Sequence, residues 1–275
     1  MASIKGVYER PLKGLDKLGE ELSFYVRALA WTPRTIRRYK KEILRLLAEV
    51  TLGSGSLAVI GGTVGVIVAM CFFTGTEVGL QGYAALNQLG TANFAGFVSA
   101  YFNTREIAPL VAGIALAATV GCGFTAQLGA MRISEEVDAL EVMAVPSLPF
   151  LVTTRIIAGL IAIIPLYVVG LLSSYFASRL VVTQFFGQSA GTYDDTFNKF
   201  LPPGDVLWSF GKVLVFAIMV ILIHCYHGYN ASGGPAGVGV AVGHAVRTSI
   251  VAINVVDLLL SMAIWGTTTT VRLAG

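Results

Sequence analysis

Residues 156–178 read IIAGLIAIIPLYVVGLLSSYFAS, a run without a single charged side chain. An α-helix needs about 20 apolar residues to cross the hydrocarbon core of a bilayer, so this stretch predicts a membrane span. The composition of the whole chain agrees, because 55% of its 275 residues are apolar and only 13% are charged. Ordinary soluble proteins carry about 25% charged residues. The sequence therefore predicts a polytopic membrane protein and excludes a soluble enzyme.

Four further stretches of the chain are nearly free of charge and long enough to span a bilayer. Together with the first, they place predicted spans near 55–74, 107–128, 152–178, 207–227 and 248–270. The expected fold is an all-α integral membrane protein with about five transmembrane helices, preceded by an amphipathic interfacial helix. The last span carries a lone acid, Asp257, with Asn254 one helical turn earlier. Ionisable groups at membrane depth usually have a function or an interhelical partner, and for Asp257 a bond to a neighbouring helix is favoured.

The stretch 78–104 also lacks charge, but its composition differs from that of the spans. It holds five Asn or Gln side chains and four glycines. Only Arg105 and Glu106 separate it from the span that begins at 107, which is too short for a turn between two full crossings. We therefore expect a re-entrant or interfacial segment here, because irregular backbone at membrane depth must be buried in protein or line a cavity.

Lysine and arginine set the expected orientation, because they concentrate on the cytoplasmic side of membrane proteins. Eleven of the 19 basic residues lie in the first 49 positions. A cytoplasmic N-terminus places fourteen bases inside and five outside, with Lys212 among the outer five. The expected organisation is a basic cytoplasmic region over 1–50 and a membrane domain over 51–275, with an extracytoplasmic C-terminus. We expect the chain in the inner or plasma membrane, without a cleavable signal peptide.

A basic amphipathic helix is predicted from Arg34 to Val50. Its apolar residues follow helical spacing and its bases fall around them. Such a helix is expected in the cytoplasmic headgroup layer, with its bases on anionic membrane lipids. It could serve only as an anchor or could take part in lipid entry, and the pattern favours neither.

The segment 131–149, MRISEEVDALEVMAVPSLP, predicts a short acidic amphipathic helix over 133–145. Four apolar side chains fall within one sector of a helical wheel at about 100° per residue, whereas the acids lie outside it. Acids in the first turn favour the helix dipole, and Pro146 ends the helix. On the cytoplasmic face, such a helix offers a docking surface to a soluble partner. A merely solvated interfacial helix would have the same pattern.

Three motifs give the chain a resemblance to the MlaE/YrbE family of permeases. They read TREIAPL, LGAM and EEVDALEVMAVP, and they occur in this order within 104–146. In the first motif, Arg105, Glu106 and Pro109 match the family's pattern at the start of its second span. A glycine-rich tract over 228–246 is similar to the family's C-terminal signature.

Members of this family are permease subunits of ABC transporters that move lipids together with Mce proteins. The resemblance implies a second permease subunit, Mce proteins on the outer side, and a cytoplasmic ATPase that binds ATP and Mg²⁺. It implies no cofactor in this chain, and it puts Arg105 and Glu106 in the lipid path at the outer end of the second span. The residues implied in coupling to the ATPase are Glu135, Glu136, Asp138, Leu140, Glu141 and Met143.

This sequence departs from the family pattern at three positions. Cys122 stands where the family usually has arginine, Gln127 where it has glutamate, and Glu136 where it has glutamine. Loss of a cation and an acid from one span removes an expected intramembrane pair. Actinobacterial Mce systems are similar in encoding two permease paralogues side by side, so we favour a heterodimer with a paralogue; a homodimer is the alternative.

Other functions have little support in the sequence. There is no Walker A motif, so a partner must hydrolyse any ATP. His224 and His227 stand three residues apart without a further ligand nearby, so we predict no metal site, and no catalytic arrangement stands out. The basic N-terminus fits lipid headgroups better than nucleic acid. The functional alternatives that stay open are a stand-alone secondary transporter and a non-transporting scaffold subunit.

Overall fold

The computed structural model describes residues 5–52 and 62–266, and these residues form ten helices. Three helices precede the bundle: α1 (Lys5–Ala30), α2 (Thr32–Arg38) and α3 (Lys40–Leu52). The long helices are α4 (Thr63–Gln88), α5 (Ala92–Ile133), α7 (Pro149–Phe185), α9 (Pro203–Tyr229) and α10 (Gly234–Trp265). Two short helices lie between long ones, namely α6 (Glu136–Val142) and α8 (Ala190–Lys199).

The five long helices are long and apolar enough to cross a membrane, which confirms the predicted all-α fold with five spans. Their shared core lies between α5, α7 and α9, where Leu116, Ile163 and Phe216 are fully buried. At about 1.5 Å per residue, the 42 residues of α5 and the 37 of α7 give lengths of roughly 63 Å and 56 Å. A bilayer with its headgroups is about 40–45 Å thick, so both helices are longer than a bilayer is thick.

The connections between long helices fall at two ends of the bundle. At the N-terminal end, the aromatic side chain between α2 and α3 packs against Phe150, and Ser147 bonds to Tyr229 at 2.7 Å. This end therefore collects α2, α3, the α6 region and the α9–α10 connection. At the opposite end, the Gln188 side chain donates to the Ala92 carbonyl at 3.0 Å and joins the two remaining connections. The connections between successive long helices thus alternate between the two ends of the bundle, as five antiparallel spans require.

No separate segment exists over 78–104, so the prediction of a re-entrant or interfacial segment there is wrong. Helices α4 and α5 continue through this stretch and meet at a short turn. Gly90 (φ +69°) forms the turn, whereas the other three glycines serve close packing: a Cβ on Gly79 would lie 3.0 Å from the Ser178 carbonyl oxygen, and one on Gly96 would lie 2.3 Å from that of Tyr193. Composition does not separate a glycine that permits helix contact from one that breaks a helix.

Two of the long helices begin well before the predicted spans that they contain. The second long helix begins at Ala92 rather than at 107, and the last begins at Gly234 rather than at 248. Charges marked the predicted limits, yet Arg105 is paired within the protein and Arg247 is exposed on the surface of α10. Neither charge therefore ends its helix. The first predicted span, 55–74, begins among residues outside the described ranges.

The predicted helix from Arg34 to Val50 is divided into α2 and α3. The break falls at Tyr39, whose φ of −116° and ψ of 36° leave the helical range, and its ring packs against Phe150. The apolar face of α3 packs on α7 through Ile43 and Leu46, and its position in the headgroup layer stays a prediction. The bundle therefore holds this helix by its apolar face, and its basic side chains point outward.

Candidate functional site

Helix α5 carries charged residues among apolar neighbours. Arg105 and Glu106 lie in a wider, π-helical stretch, Ser99–Ile107. Such turns are rare and frequently mark functional sites. Pro109 follows, and because proline has no backbone N–H it cannot donate to the carbonyl of Arg105 four residues earlier. The local sequence thus leaves a carbonyl oxygen inside the bundle without its usual α-helical donor.

The Lys212 side chain of α9 supplies a donor to that carbonyl. It is completely buried, and its Nζ donates to the Arg105 carbonyl at 2.7 Å and to the Ser261 hydroxyl of α10 at 2.8 Å. Two carboxylates surround the same ammonium, with Asp257 Oδ1 at 2.7 Å and Glu106 Oε2 at 3.3 Å. Ser261 in turn donates to Glu106 Oε1 at 2.8 Å. A buried ammonium needs such partners, and here they join α5, α9 and α10.

The Arg105 side chain forms a second ion pair, nearer the helix ends. Its Nη2 lies 2.5 Å from Asp205 Oδ2 in the first turn of α9, and its Nε donates to the same oxygen at 2.7 Å. Trp265 at the end of α10 donates to Asp205 Oδ1 at 2.9 Å. The guanidinium also lies 4.2 Å from the ring centre of Tyr101 and 5.3 Å from that of Trp265, where cation–π attraction contributes. Protein groups therefore enclose the charge of Arg105.

We call these five charged residues the ionic cluster. Its members are Arg105, Glu106, Asp205, Lys212 and Asp257. Two cations and three acids give a formal charge of −1 when all are ionised. Four of the side chains are 13% exposed or less, whereas that of Glu106 is 38% exposed. Within the cluster, Glu106 is thus the group that a molecule in the membrane can contact.

The structure brings together three of the four polar residues singled out in the spans. Arg105, Glu106 and Asp257 meet in the ionic cluster, whereas Asn254 is exposed on α10 and donates to the Ile250 carbonyl of its own helix. The assignment of Lys212 to the outer-side charges is wrong, because its ammonium is fully buried among these groups.

Sequence analysis missed Asp205, Ser261 and Trp265 and misjudged Lys212, although helical spacing carries a signal for all four. Asp205 and Lys212 are seven residues apart, which puts them on one face of a helix two turns apart. Ser261 and Trp265 continue the four-residue spacing that starts at Asp257. A polar stripe at helical spacing in an apolar span predicts an interhelical contact.

A third buried cation, Arg155 of α7, lies toward the N-terminal end of the bundle. Its Nη1 donates to the Leu151 carbonyl at 2.7 Å, and its Nη2 donates to Gln127 Oε1 at 3.2 Å. Gln127 in turn donates to the Glu49 carboxylate of α3. The guanidinium also lies 5.6 Å from the ring centre of Phe124. Gln127 stands where the family pattern has glutamate, and here its neutral amide connects a buried cation to an acid.

The helix between α5 and α7 is shorter than predicted. Helix α6 covers only Glu136–Val142, so the predicted limits of 133–145 are wrong. The backbone at Glu135 (φ +62°) and Ala144 (φ +57°) adopts the left-handed conformation, which interrupts the helix on both sides. Of the four residues in the predicted apolar sector, Val137 is the one that is fully buried.

The outward face of the α6 region combines acids with large apolar side chains. Val142 is 88% exposed and Met143 is 64% exposed. Glu135 and Glu136 are also exposed, and Leu140 is half-buried. An isolated solvated helix would not gain from exposing such apolar side chains, so this face has the mixed character of a protein-binding surface.

Two polar contacts hold the α6 region to the bundle. Asp138 pairs with Arg132 at the end of α5 at 2.6 Å. Ser147 donates to Glu141 Oε1 at 2.6 Å and bonds to the Tyr229 hydroxyl of α9 at 2.7 Å. A displacement of α6 therefore acts directly on the ends of α5 and α9.

The residues that the structure describes contain no group of three side chains placed to hold a metal ion. His224 is buried in α9, and its Nδ1 lies 2.8 Å from the Thr125 hydroxyl of α5. This histidine thus helps to join two helices.

Known proteins with related sequences fit this architecture. Residues 54–263 match the family model described as Permease MlaE. A probable ABC transporter permease protein of Rickettsia bellii is 32% identical over 71% of this chain and 76% of its own length. The chloroplastic protein TRIGALACTOSYLDIACYLGLYCEROL 1 of Arabidopsis thaliana is 32% identical over 70% of this chain and 57% of its own length. The intermembrane phospholipid transport system permease protein MlaE of Haemophilus influenzae is 27% identical over 73% and 77%, respectively.

These matches confirm the family resemblance and the predicted role as a transporter subunit without its own ATPase site. The matched residues include the whole ionic cluster and α6. The link to actinobacterial Mce systems stays a prediction. The chain is a multi-pass membrane protein and belongs to the MlaE family of ABC transporter permeases.

Proposed function

We propose that this permease moves phospholipid between its bilayer and extracytoplasmic Mce proteins, driven by ATP that a partner subunit hydrolyses. The ionic cluster carries this proposal. Five charges in an apolar bundle are costly unless they serve a function, and structural pairing alone does not require Glu106 to stay accessible. The name of the Haemophilus influenzae relative supports phospholipid as the substrate class.

Glu106 is the group proposed to meet the lipid. Its two carboxylate oxygens are held by Lys212 and Ser261 on one side, and its exposed part can accept hydrogen bonds from an ammonium or hydroxyl of a headgroup. Arg105 is enclosed by Asp205 and aromatic rings, so we assign it a positioning role rather than direct contact. This refines the expectation that both residues line the lipid path.

An apolar groove supplies a matching surface for acyl chains. It has a volume of about 500 Å³ and lies between α1, α9 and α10. Its wall includes Leu22, Val215, Met219 and Leu222. The three wall residues of α9 lie further along that helix than Lys212, toward the end of the bundle that holds the N-terminal helices. A lipid whose headgroup reaches the ionic cluster could thus keep its chains against an apolar wall.

The coupling to ATP hydrolysis is proposed to pass through α6. Its acidic and apolar outward face would dock into a cytoplasmic ATPase, which holds the ATP and Mg²⁺. Movement of α6 would reach α9 through Ser147 and Tyr229. The same helix carries Lys212, about 25 Å further along at 1.5 Å per residue. One rigid helix therefore connects the docking surface with the ionic cluster.

A second permease subunit is proposed to cover α10. This helix exposes a row of large apolar side chains, including Val251, Val255, Leu258 and Leu259. A paralogue is favoured over an identical copy because of the departures from the family pattern. The positive-inside rule favours a cytoplasmic N-terminus and an extracytoplasmic C-terminus, which would put the Mce proteins at the α8 end.

Purification from native membranes followed by reconstitution tests the proposal. We expect an ATPase, a permease subunit and Mce proteins to accompany the chain, and reconstituted vesicles to transfer phospholipid only with ATP. Recovery of the chain alone, still folded, would contradict the proposal and favour a secondary transporter. Equal transfer by a complex that lacks this chain would favour a scaffold.

Charge reversal tests the docking surface separately. Glu135→Lys with Glu136→Lys should abolish co-purification of the ATPase without reducing membrane insertion, because two exposed acids of the outward face become cations while the Asp138–Arg132 pair that holds α6 is kept. Asp194→Lys with Asp195→Lys is the matched control, since it makes the same charge change on α8 at the opposite end. Undiminished co-purification of the Glu135/Glu136 variant would contradict docking through α6.

A further inference from the structure

A polar cavity of about 470 Å³ lies at the N-terminal end of the bundle, between α1, the connection from α6 to α7 and the end of α9. We call it the end cavity. Two carboxylates, one guanidinium and several aromatic rings contribute to its lining. The lining residues include Glu20, Arg27, Glu141, Tyr226, Tyr229 and Asn230. Sites for small molecules usually have volumes of about 300–1,000 Å³, so the end cavity is large enough to receive a single side chain.

The side of α1 that lines the end cavity is opposite to the exposed apolar side of this helix. Leu22, Val26 and Leu29 are exposed, and at about 100° per residue they fall within one sector of a helical wheel. Glu20 and Arg27 lie roughly 130–150° from the centre of that sector. Because a membrane takes up the apolar side of an interfacial helix, the end cavity belongs to the side of α1 that faces water.

The carboxylates of the end cavity have no counter-ion within the described residues. Glu20 and Glu141 are both exposed, and neither forms an ion pair there. Arg27 is held by its own helix instead, since it donates to the Ser23 carbonyl at 3.3 Å and to the Ser23 hydroxyl at 2.9 Å. One cation against two carboxylates gives this lining a formal charge of −1, which favours a cationic ligand.

Aromatic rings form another wall of the end cavity. Tyr226 and Tyr229 are half-buried, and their ring centres lie 5.4 Å and 5.6 Å from that of the buried Phe24. Packing on Phe24 therefore fixes both rings. Guanidinium groups stack on aromatic rings and form paired hydrogen bonds to carboxylates. The combination of aromatic and carboxylate groups thus suits an arginine side chain.

We propose that the end cavity receives an arginine side chain of the cytoplasmic ATPase, an inference that rests on the proposed docking of that subunit to α6. Glu141 belongs to α6 and also lines the cavity, so a protein seated on α6 lies beside it. The inserted side chain would contact α1 and the end of α9 at once. It would add a second link from the ATPase to α9, next to the bond between Ser147 and Tyr229.

Photo-crosslinking in the complex purified from native membranes tests the proposal. A benzophenone amino acid in place of Asn230, an exposed lining residue, should crosslink to the ATPase, and mass spectrometry of the linked peptide should find an arginine beside the link. The same amino acid in place of Asn198 is the matched control, because Asn198 is an exposed asparagine on α8 at the opposite end. It should capture no ATPase.

Charge reversal gives the quantitative test. Glu20→Lys should lower the amount of ATPase retained per permease at least about tenfold, because it sets a cation against the inserted cation. Asp16→Lys makes the same charge change one turn earlier on α1, outside the cavity lining, and should lower retention less than about twofold. Replacing the crosslinked arginine of the ATPase by glutamate should restore retention by the Glu20→Lys protein, which an unfolded variant could not show.

The outcomes separate the end cavity from the docking of α6. If Glu135→Lys with Glu136→Lys releases the ATPase while Glu20→Lys retains it, the end cavity is not an ATPase site, although docking through α6 stands. If neither variant releases it, docking through α6 fails as well. Loss of ATPase by Glu20→Lys that the glutamate does not restore would overturn the proposal, and so would crosslinking at Asn230 to a lipid instead of the ATPase.

Discussion

The bundle buries three cations, and it pairs two of them, Lys212 and Arg155, in opposite ways. Lys212 contacts the carboxylates of Asp257 and Glu106 directly, at 2.7 Å and 3.3 Å. Arg155 is held by a backbone carbonyl and by the amide of Gln127, which passes a hydrogen bond on to Glu49. Both side chains are almost fully inaccessible.

The chemistry of the two groups permits the difference but does not require it, because Arg105, also a buried guanidinium, pairs directly with the Asp205 carboxylate. An ammonium is a compact, strongly hydrated charge, whereas a guanidinium is planar, delocalised and more weakly hydrated. Neutral acceptors and an aromatic ring can therefore hold Arg155, while Lys212 needs direct counter-charges. Of these two cations, only Lys212 has an accessible carboxylate beside it. The Lys212 site can therefore contact a ligand, whereas the Arg155 site joins helices.

Lys212→Met should have the largest effect on this comparison. It leaves Asp257 and Glu106 buried or half-buried without their cation, and breaking such a pair costs about 3–5 kcal/mol. Denaturant unfolding in detergent would measure the loss. The double variant Lys212→Met with Asp257→Asn should recover part of it, because one unpaired acid is removed. A single variant within about 1 kcal/mol of the natural protein would contradict the role of Lys212.

Substitutions at Gln127 should act on the other cation with a smaller effect. Gln127→Leu removes an acceptor from Arg155 and a donor to Glu49, so we expect a loss of about 1–3 kcal/mol in the free energy of unfolding. Gln127→Glu combined with Glu49→Gln should be better tolerated, because it puts a carboxylate directly beside the guanidinium without placing a second acid against it. If the Gln127→Leu variant were the more stable of the two, the hydrogen bonds that link Arg155 through Gln127 to Glu49 would not stabilise the protein.

Pro109→Ala tests why Lys212 reaches the Arg105 carbonyl. In the natural background, the new N–H competes with an ammonium that already satisfies this oxygen, so the gain should be small. In the Lys212→Met background the Arg105 carbonyl oxygen loses its donor. The N–H of the alanine should then restore about 1 kcal/mol of the free energy of unfolding. A double-mutant cycle measures this coupling. Strict additivity of the two substitutions would show that proline and lysine are unrelated.

The exposed pair between Arg179 and Asp194 should give the smallest effect. Its two bonds of 2.8 Å tie α8 to α7, and the neighbouring guanidinium holds the pKa of the Asp194 carboxyl below its ordinary value. Asp194→Asn should cost less than about 1 kcal/mol near neutral pH.

The sign of this pH dependence is fixed by the lowered pKa. The contribution of Asp194 is fully present above the ordinary aspartate pKa of about 4 and disappears as the pH falls through the lower folded-state value. Thermal unfolding at a series of pH values should therefore show the natural protein and Asp194→Asn converging in acid. A difference that grows on acidification would contradict the pairing.

Sequence reasoning succeeded where a pattern had one physical meaning. Long apolar runs without charge can only be buried in lipid or protein, so the five spans were predictable. The motif around Arg105 and Pro109 and the acidic segment around Asp138 identified the family. The same reasoning failed at 78–104, because glycine has two uses, in irregular backbone and in close helix contact.

The ionic cluster could be predicted only in part. Asp257 and Glu106 stood out as acids near apolar spans, but their partner Lys212 lies in a helix far from both in sequence. Charge was used to mark the ends of spans, and that rule fails for a charge whose partners are inside the bundle. Helical spacing on α9 and α10 held the missing information, yet it shows which residues share a face without showing which helices meet.

The most direct test of this account is the rate of ATP-dependent phospholipid transfer by the reconstituted complex that carries Glu106→Gln. The account predicts a rate at least about tenfold lower, with unchanged assembly, because the substitution keeps the shape of the side chain and removes its charge. Glu77→Gln is the matched control, since Glu77 is an exposed carboxylate on α4 that bonds within its own helix, and it should transfer lipid at the natural rate. Transfer by Glu106→Gln at the natural rate would contradict the proposal that the open carboxylate of the ionic cluster contacts the lipid.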